Sequence, residues 1–306
     1  MLGTSAMTPT AERNHPGVYV QYEGLGMLLD AGEGVQRQLR KAGINQSKIR
    51  AILLTHWHAD HALGLLGVLQ SLMIHHVHDE VLLITPHGGE KRLRSLFRAF
   101  SARPDYPLRV VEAPSDADGS FPFHGLTIRT RPVEHAQPTL AFRIDEPGRW
   151  KVHAERLRMA GIRPGPCLKA LQEGRDAECN GKHLAVREYA SFQPGRSLVY
   201  ATDYASPRQI VSFARDATVL ISEATYDERL AVKAAEHAHV TARQAALLAR
   251  EASAGLLVLT HFSQRYESTS VLVEEARSVF PNTIAADDFM RITLTNPLGI
   301  GRCEKE

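Results

Sequence analysis

Four short apolar runs in this chain each stop at a residue able to bind a metal ion, and that pattern limits the fold more than any other feature. Ile49–Thr55 leads into His56-Trp57-His58-Ala59-Asp60-His61, Thr127–Glu134 into His135, SLVYAT (197–202) into Asp203, and LLVLT (256–260) into His261. Runs of this length, bounded by polar residues, read as buried strands. Sheets covered by helices place their chemistry at the carboxyl ends of strands, where the rigid strands hold the loops. Further runs at Val81–Thr85, Leu126–Pro132, Thr139–Ile144 and Thr218–Ser222 fit the same reading. Val18–Tyr22 and Met27–Asp30 read as a strand pair across Glu23-Gly24-Leu25-Gly26. Gly34–Lys41, Glu90–Phe100 (apolar at Leu93, Leu96, Phe97 and Phe100) and about Ala242–Ala252 read as helices. The expectation is a layered α/β or α+β domain.

His56 and His58 stand two apart, so in an extended chain their rings point to one side. Asp60 and His61 begin the turn into the next helix and can face a second ion. Imidazole nitrogen and carboxylate oxygen suit zinc or a similar divalent metal. His135, Asp203 and His261 bring the set to seven. One bridging aspartate lets such a set hold two ions about 3.5–4 Å apart. The bland alternative, surface histidines with a helix cap at Asp60, does not explain why separate strands all end in ligands.

Composition narrows the class further. The 306 residues carry 36 basic and 34 acidic side chains for a net charge of +2, with mean hydropathy −0.22. That excludes a disordered tail and a blanket polycation. The longest apolar stretch, Leu63–Ile74, is interrupted by Gly64, Gly67, Gln70 and Ser71 and is too short to span a bilayer. The start shows no signal-peptide core, so no membrane partner is expected. Cys167, Cys179 and Cys303 are an odd count at no metal-finger spacing. They read as free thiols in a reducing compartment, which points to the cytoplasm. The charge is uneven: Arg149–Arg196 holds ten basic residues against five acidic ones, among many glycines and prolines. A local excess of that sign is either a solvated loop or a footprint for a phosphate backbone.

Several longer segments carry a resemblance. LGTSAMTPTAERN (2–14), DAGEGVQRQL (30–39), the H-x-H-x-D-H run at 56–61, SEATYDE (222–228), HAHVTARQAALLA (237–249) and LTHFSQRY (259–266) resemble motifs of the ribonuclease Z family. That family is the tRNA 3′-processing branch of the metallo-β-lactamase superfamily. GIRPGPCLKALQEG (161–174) resembles the Gly-Pro motif of its tRNA-gripping exosite arm.

The resemblance implies a four-layered αβ/βα sandwich, with residues 1–306 as one domain and 149–196 inserted as a protruding flexible arm. It implies two Zn²⁺ per subunit, with Mn²⁺ or another divalent ion as the alternative. His56, His58 and His135 would hold one ion, Asp60, His61 and His261 the other, and Asp203 would bridge. Asp60 would also act as general base, and the Glu223–His239 pair would protonate the leaving 3′-oxygen. Arg163, Gly165, Pro166 and Lys169 would bind precursor tRNA, and the protein would form a homodimer. The implied activity is an endoribonuclease that removes 3′ trailers, leaving a tRNA 3′-hydroxyl and a 5′-phosphorylated trailer. A phosphodiesterase of small substrates on the same fold is the alternative enzyme, and a nucleic-acid-binding module with a vestigial site the alternative non-enzyme. The intact ligand set argues against the second.

Some residues depart from the family pattern. Tyr204 follows Asp203 where threonine is usual, Ser222 precedes Glu223 where many members have histidine, and Cys167 replaces a common leucine. Tyr204 is expected to narrow the site or alter phosphate contacts. His75, His76 and His78 match no ligand position and are expected on a helix face, and His237 is expected to be structural or exposed.

Overall fold

β1 (Val18–Tyr22) and β2 (Leu25–Leu29) pair antiparallel, Val18 opposite Leu29 and Tyr22 opposite Leu25. Glu23 (φ 47) and Gly24 (φ 83) make the turn. Positive φ at both central positions matches the right-handed strand twist, and glycine reaches it without strain. β3 (Ile49–Leu53), β4 (Val81–Thr85) and β5 (Leu108–Glu112) continue this five-stranded sheet in sequence order, each parallel to the last. The computed structural model describes residues 1–163 and 165–295 and the backbone of 299–302.

A second, seven-stranded sheet uses β6 (Gly119–Phe123), β7 (Leu126–Val133), β8 (Thr139–Asp145), β13 (Ser197–Ala201), β14 (Val219–Glu223), β15 (Leu257–Thr260) and β16 (Thr283–Ala285). Its order is β16-β15-β14-β13-β8-β7-β6, and β13 to β16 run parallel. Four further strands come between β8 and β13 in sequence.

Both faces of both sheets are apolar. On the first, Leu28, Ile52 and Leu83 meet Val35 and Leu39 of helix Val35–Lys41 and Val68, Leu69 and Leu72 of helix Leu65–Ile74. On the second, Val199, Leu220 and Leu257 meet Ala245, Ala246 and Ala249 of helix Ala242–Glu251 and Leu272 and Ala276 of helix Ser270–Arg277. The opposite faces, with Met27, Leu29, Leu53 and Ile84 on one sheet and Leu140, Phe142, Leu198 and Ile221 on the other, are also buried. Each such side chain contributes about 1.5–3 kcal/mol on leaving water. Leu140 N–H donates to Thr55 O and Tyr200 OH to Asp30, which ties the two sheets together. Helices outside two sheets give the expected αβ/βα sandwich.

The chain divides into two compact units. One comprises Met1–Phe121, Ile128–Arg143 and the chain from Leu198 on; the other comprises Pro122–Thr127 and Ile144–Ser197. In the second unit β9 (Arg149–Val152) pairs antiparallel with β12 (Ala190–Gln193), and β10 (Ala177–Cys179) with β11 (Lys182–Leu184). The latter hairpin turns on Asn180 (φ 53) and Gly181 (φ 76). Leu157, Ile162, Leu171, Ala177, Cys179 and Leu184 form its own small core. The glycine- and proline-rich stretch is therefore folded rather than an irregular loop.

Two expectations need correction here. Cys167 and Cys179 form a disulfide, with Cα atoms 5.7 Å apart, so these two are not free thiols. The β10–β11 hairpin brings the second cysteine back to the start of helix Leu168–Gln172, a closure that spacing alone does not reveal. Cys303 lies outside the described residues. His75, His76 and His78 are exposed, as non-ligands should be, but they follow the end of helix Leu65–Ile74 rather than lying on its face. Among the described residues no helix is long and apolar enough to cross a membrane.

Candidate metal centre

Each ligand-type side chain sits just past a strand of the first unit. Beyond β3 the chain stays extended through Thr55 to His58, which precedes the short helix Ala59–Ala62 carrying Asp60 and His61 in its first turn. His135 follows β7, Asp203 follows β13, and His261 follows β15 directly. Asp203 (φ 59) and His261 (φ 57) adopt the left-handed region, as does Asp30 (φ 56) just past β2. A non-glycine residue there costs on the order of 1–3 kcal/mol and persists only where the surroundings hold it.

The structure brings all seven together. His56 Nε2 lies 2.9 Å from His58 Nδ1, and His61 Nε2 lies 3.3 Å from His261 Nε2. Asp203 stands between the groups. Its Oδ1 is 3.9 Å from His56 Nε2 and 3.6 Å from His135 Nε2, while its Oδ2 is 3.2 Å from His61 Nε2 and 3.4 Å from His261 Nε2. Asp60 Oδ2 faces the second group, 3.5 Å from His61 Nε2 and 3.7 Å from His261 Nε2. All of these groups but His58 and His135 are buried.

A further layer of partners fixes the rings, and sequence reasoning missed it. Asp30 accepts from Thr55 N and Oγ1, from Tyr200 OH, and from His61 Nδ1 at 2.8 Å. Thr55 Oγ1 lies 3.0 Å from His56 Nδ1, Ala238 O 3.2 Å from His135 Nδ1, and Thr225 Oγ1 3.1 Å from His261 Nδ1. Asp30 and the Ala238 carbonyl can only accept, so His61 and His135 carry a proton on Nδ1 and turn Nε2 to the centre; the Thr55 and Thr225 hydroxyls give their own protons to Asp30 and Glu223 and can accept from His56 and His261 in the same way. Asp30 stands at the end of the apolar run Met27–Leu29, the same signal that marks the other ligands. From the N-terminal segment, Met7 N–H donates to Asp60 Oδ2 at 2.9 Å.

Electrostatics follow from burial and this crowding. Burial pushes His56, His58 and His135 down, which favours the neutral ring that binds metal. Burial opposes ionisation of Asp60 and Asp203, yet the surrounding imidazoles outweigh it and hold both carboxyls well below the usual range. His61 is driven down by burial and more strongly up by Asp203 and Asp30, a measure of how strongly this position attracts positive charge.

Glu223, the last residue of β14, and His239 meet beside the centre, His239 Nδ1 lying 2.9 Å from Glu223 Oε2. Against the desolvation of burial, Glu223 raises His239 to about 9. Thr241 anchors the segment after His239 by a reciprocal capping box with Gln244. Asp203, His239 and His261 could also group around an ion, but a ring that Glu223 keeps protonated is a poor ligand. His237 is exposed. Tyr204 does not narrow the site: it is fully buried, with its hydroxyl 2.7 Å from Ser222 Oγ.

The donor set fits divalent metal. His135 Nε2 is buried without a hydrogen-bond partner, and Asp203 Oδ2 makes no hydrogen bond despite its two imidazole neighbours. Orphaned acceptors of this kind, ringed by nitrogen lone pairs, are what a cation satisfies. Arg163, Gly165, Pro166 and Lys169 lie instead in the second unit, all exposed.

Residues 12–140 match the metallo-β-lactamase superfamily model. The chain is 36% identical to ribonuclease Z of Ignicoccus hospitalis, over 96% of this chain and 97% of that one. Ribonuclease Z of Chlamydia muridarum is 35% identical over 94% of each chain. The chain belongs to the ribonuclease Z family. The crystal structure of human tRNase Z, short form, shares the fold at 23% identity, with a TM-score of 0.69 over 96% of this chain and 98% of that one. The superfamily match ends before Asp203 and His261, so those two donors rest on the geometry above.

Proposed function

We propose that this member of the ribonuclease Z family binds two zinc ions and cleaves precursor tRNA on the 3′ side of the acceptor stem, as a hydrolytic endoribonuclease. The observation that carries the reading is the placement of Asp203, one carboxylate oxygen toward His56 and His135 and the other toward His61 and His261. His56, His58 and His135 would hold one ion and Asp60, His61 and His261 the other, with Asp203 shared. Zinc suits the histidine-rich donors, and manganese is the substitute to test. Divalent ions held by these residues would supply a water of lowered pKa and neutralise charge on the phosphate.

The chain's own groups then complete the reaction. Asp60, kept ionised, accepts the proton of the attacking water. His239, protonated and oriented by Glu223, donates a proton to the departing 3′-oxygen as the P–O3′ bond breaks. The products are a tRNA 3′-hydroxyl and a trailer with a 5′-phosphate.

The unit spanning Ile144–Ser197 would serve as the tRNA-binding arm. All ten basic residues between Arg149 and Arg196 are exposed, including Arg163 and Lys169 beside Gly165 and Pro166. Phosphate contacts of this sort position a nucleic acid without reading its sequence. The homodimer follows only from the family resemblance. A cytoplasmic location follows from the substrate, since the disulfide removes the argument from free thiols.

Mapping cleavage of a precursor tRNA with and without chelator tests the reading. A single cut 3′ of the acceptor stem, abolished by chelator and restored by zinc, is the expected result. Uncut precursor alongside rapid hydrolysis of a chromogenic phosphodiester would identify a small-substrate phosphodiesterase instead.

A further inference from the structure

Two departures from the family pattern, Tyr204 and Ser222, lie 18 residues apart in sequence and touch in the structure. β13 and β14 run parallel with Ala201 opposite Ser222, which brings the segment after β13 alongside Ser222. Tyr204 OH and Ser222 Oγ are 2.7 Å apart, and both residues are fully buried in the described structure. Each directly follows or precedes a residue of the proposed chemistry, Asp203 in one case and Glu223 in the other. Tyr204 reaches Glu223 by its backbone as well, its N–H donating to Glu223 Oε1 at 3.0 Å. Glu223 Oε2 is left for His239 Nδ1 at 2.9 Å, Thr225 Oγ1 at 2.7 Å and, more weakly, the Val240 N–H at 3.4 Å. Ser222 Oγ also donates to Glu223 O at 3.2 Å.

We propose that the Tyr204–Ser222 contact is a positioning clamp for the Glu223–His239 pair, resting on the general-acid role of His239 given above. The tyrosine ring is pinned at its far end by Ser222 on the next strand, and its backbone N–H consequently stays aimed at one oxygen of Glu223. That leaves the other oxygen in place for His239. The same anchoring holds the turn in which Asp203 takes a positive φ of 59. Substituting one partner alone leaves a buried hydroxyl short of a partner, whereas removing both does not. The two residues thus act as a unit, and both are too deeply buried to reach substrate.

The test uses Tyr204→Phe, Ser222→Ala, the double variant, and Tyr204→Thr/Ser222→His, which installs the family's usual residues at both positions. Two quantities are read: kcat and KM for precursor tRNA in zinc-loaded protein, and the proton resonance of His239 Nδ1–H in metal-free protein, assigned by its loss in His239→Ala. Tyr204→Phe is expected to lower kcat about five- to tenfold with KM within twofold, and to shift or broaden the resonance. The double variant should be no worse than the worse single, because the two act as a unit. It should also melt above Ser222→Ala, in which the tyrosine hydroxyl is stranded. The Thr/His pair should recover kcat relative to either of its single substitutions. A lowered melting temperature with unchanged kcat and an unmoved resonance would overturn the clamp, as would additive losses in the double variant. The resonance is read irrespective of turnover, so wild-type kcat in His239→Ala sinks the general-acid role while the resonance still decides the clamp.

Discussion

The two units of this chain are built from different materials, and the roles proposed for them differ accordingly. In the first, most of the reactive groups are buried and over-determined: most imidazoles have a fixed partner on Nδ1, and the side chains stand just past strands of two large sheets. In the second, the functional candidates are exposed cations over a core of six buried residues and one disulfide. Chemistry at a phosphate needs groups placed to a fraction of an ångström, which only a dense surround supplies. Gripping a polyanion needs charge at about the right spacing, and long flexible side chains on a small scaffold are enough. The first unit should therefore respond steeply to single substitutions and the second gradually.

The steepest response is expected at Asp203, whose two oxygens face both ligand groups. Asp203→Ala should lose bound metal, read by elemental analysis, and with it hydrolysis of every substrate. Metal-depleted Asp203→Ala with wild-type turnover would erase the contrast between the units. His239→Ala comes next. It should keep full metal content while kcat falls about 10²–10⁴-fold, the usual worth of a general acid. The pH profile adds a sign. His239 is raised to about 9 by Glu223 in the metal-free chain, so the acid form is present below that pH and lost above it. Bound dications pull the value lower. Wild-type kcat should accordingly fall on the alkaline side, and that limb should be missing in His239→Ala.

Asp30→Asn should have a smaller effect, weakening metal about 10–100-fold by loosening His61. Competition with a chelator of known affinity measures it. The smallest effect belongs to the second unit. Cys167→Ser/Cys179→Ser removes a cross-link worth on the order of 3 kcal/mol to the local fold in the chain-entropy account. Precursor binding should weaken a few-fold, with hydrolysis of a small phosphodiester untouched. A loss of both activities would show that the disulfide acts on the centre.

Sequence revealed the first unit better than the second for the same physical reason. A ligand at the end of a buried strand is legible because strand and ligand are contiguous, as at LLVLT before His261 and SLVYAT before Asp203. The turn at Gly24 and helix Val35–Lys41 were legible on local grounds too. What escaped depends on contacts between distant segments. Asp30 sits at a strand end like the others, but its role appears only when Tyr200 and His61 arrive from 170 and 31 residues away. The Tyr204–Ser222 contact requires the register of β13 on β14. In the second unit, elements of three to six residues carry too little periodicity to announce themselves, and the cysteine pairing exists only once β10 and β11 fold back.

The division of labour is tested most directly by replacing residues 149–196 with a short glycine-serine linker and measuring two substrates on the zinc-loaded, folded protein. Precursor tRNA binding should fall severely, and its salt dependence should flatten by about one unit of log–log slope for each phosphate contact removed. Turnover of a small chromogenic phosphodiester should remain largely intact. Equal loss of both activities would mean that the second unit shapes the centre, and equal retention would mean that the exposed cations are not the grip; either result rules out the division of labour.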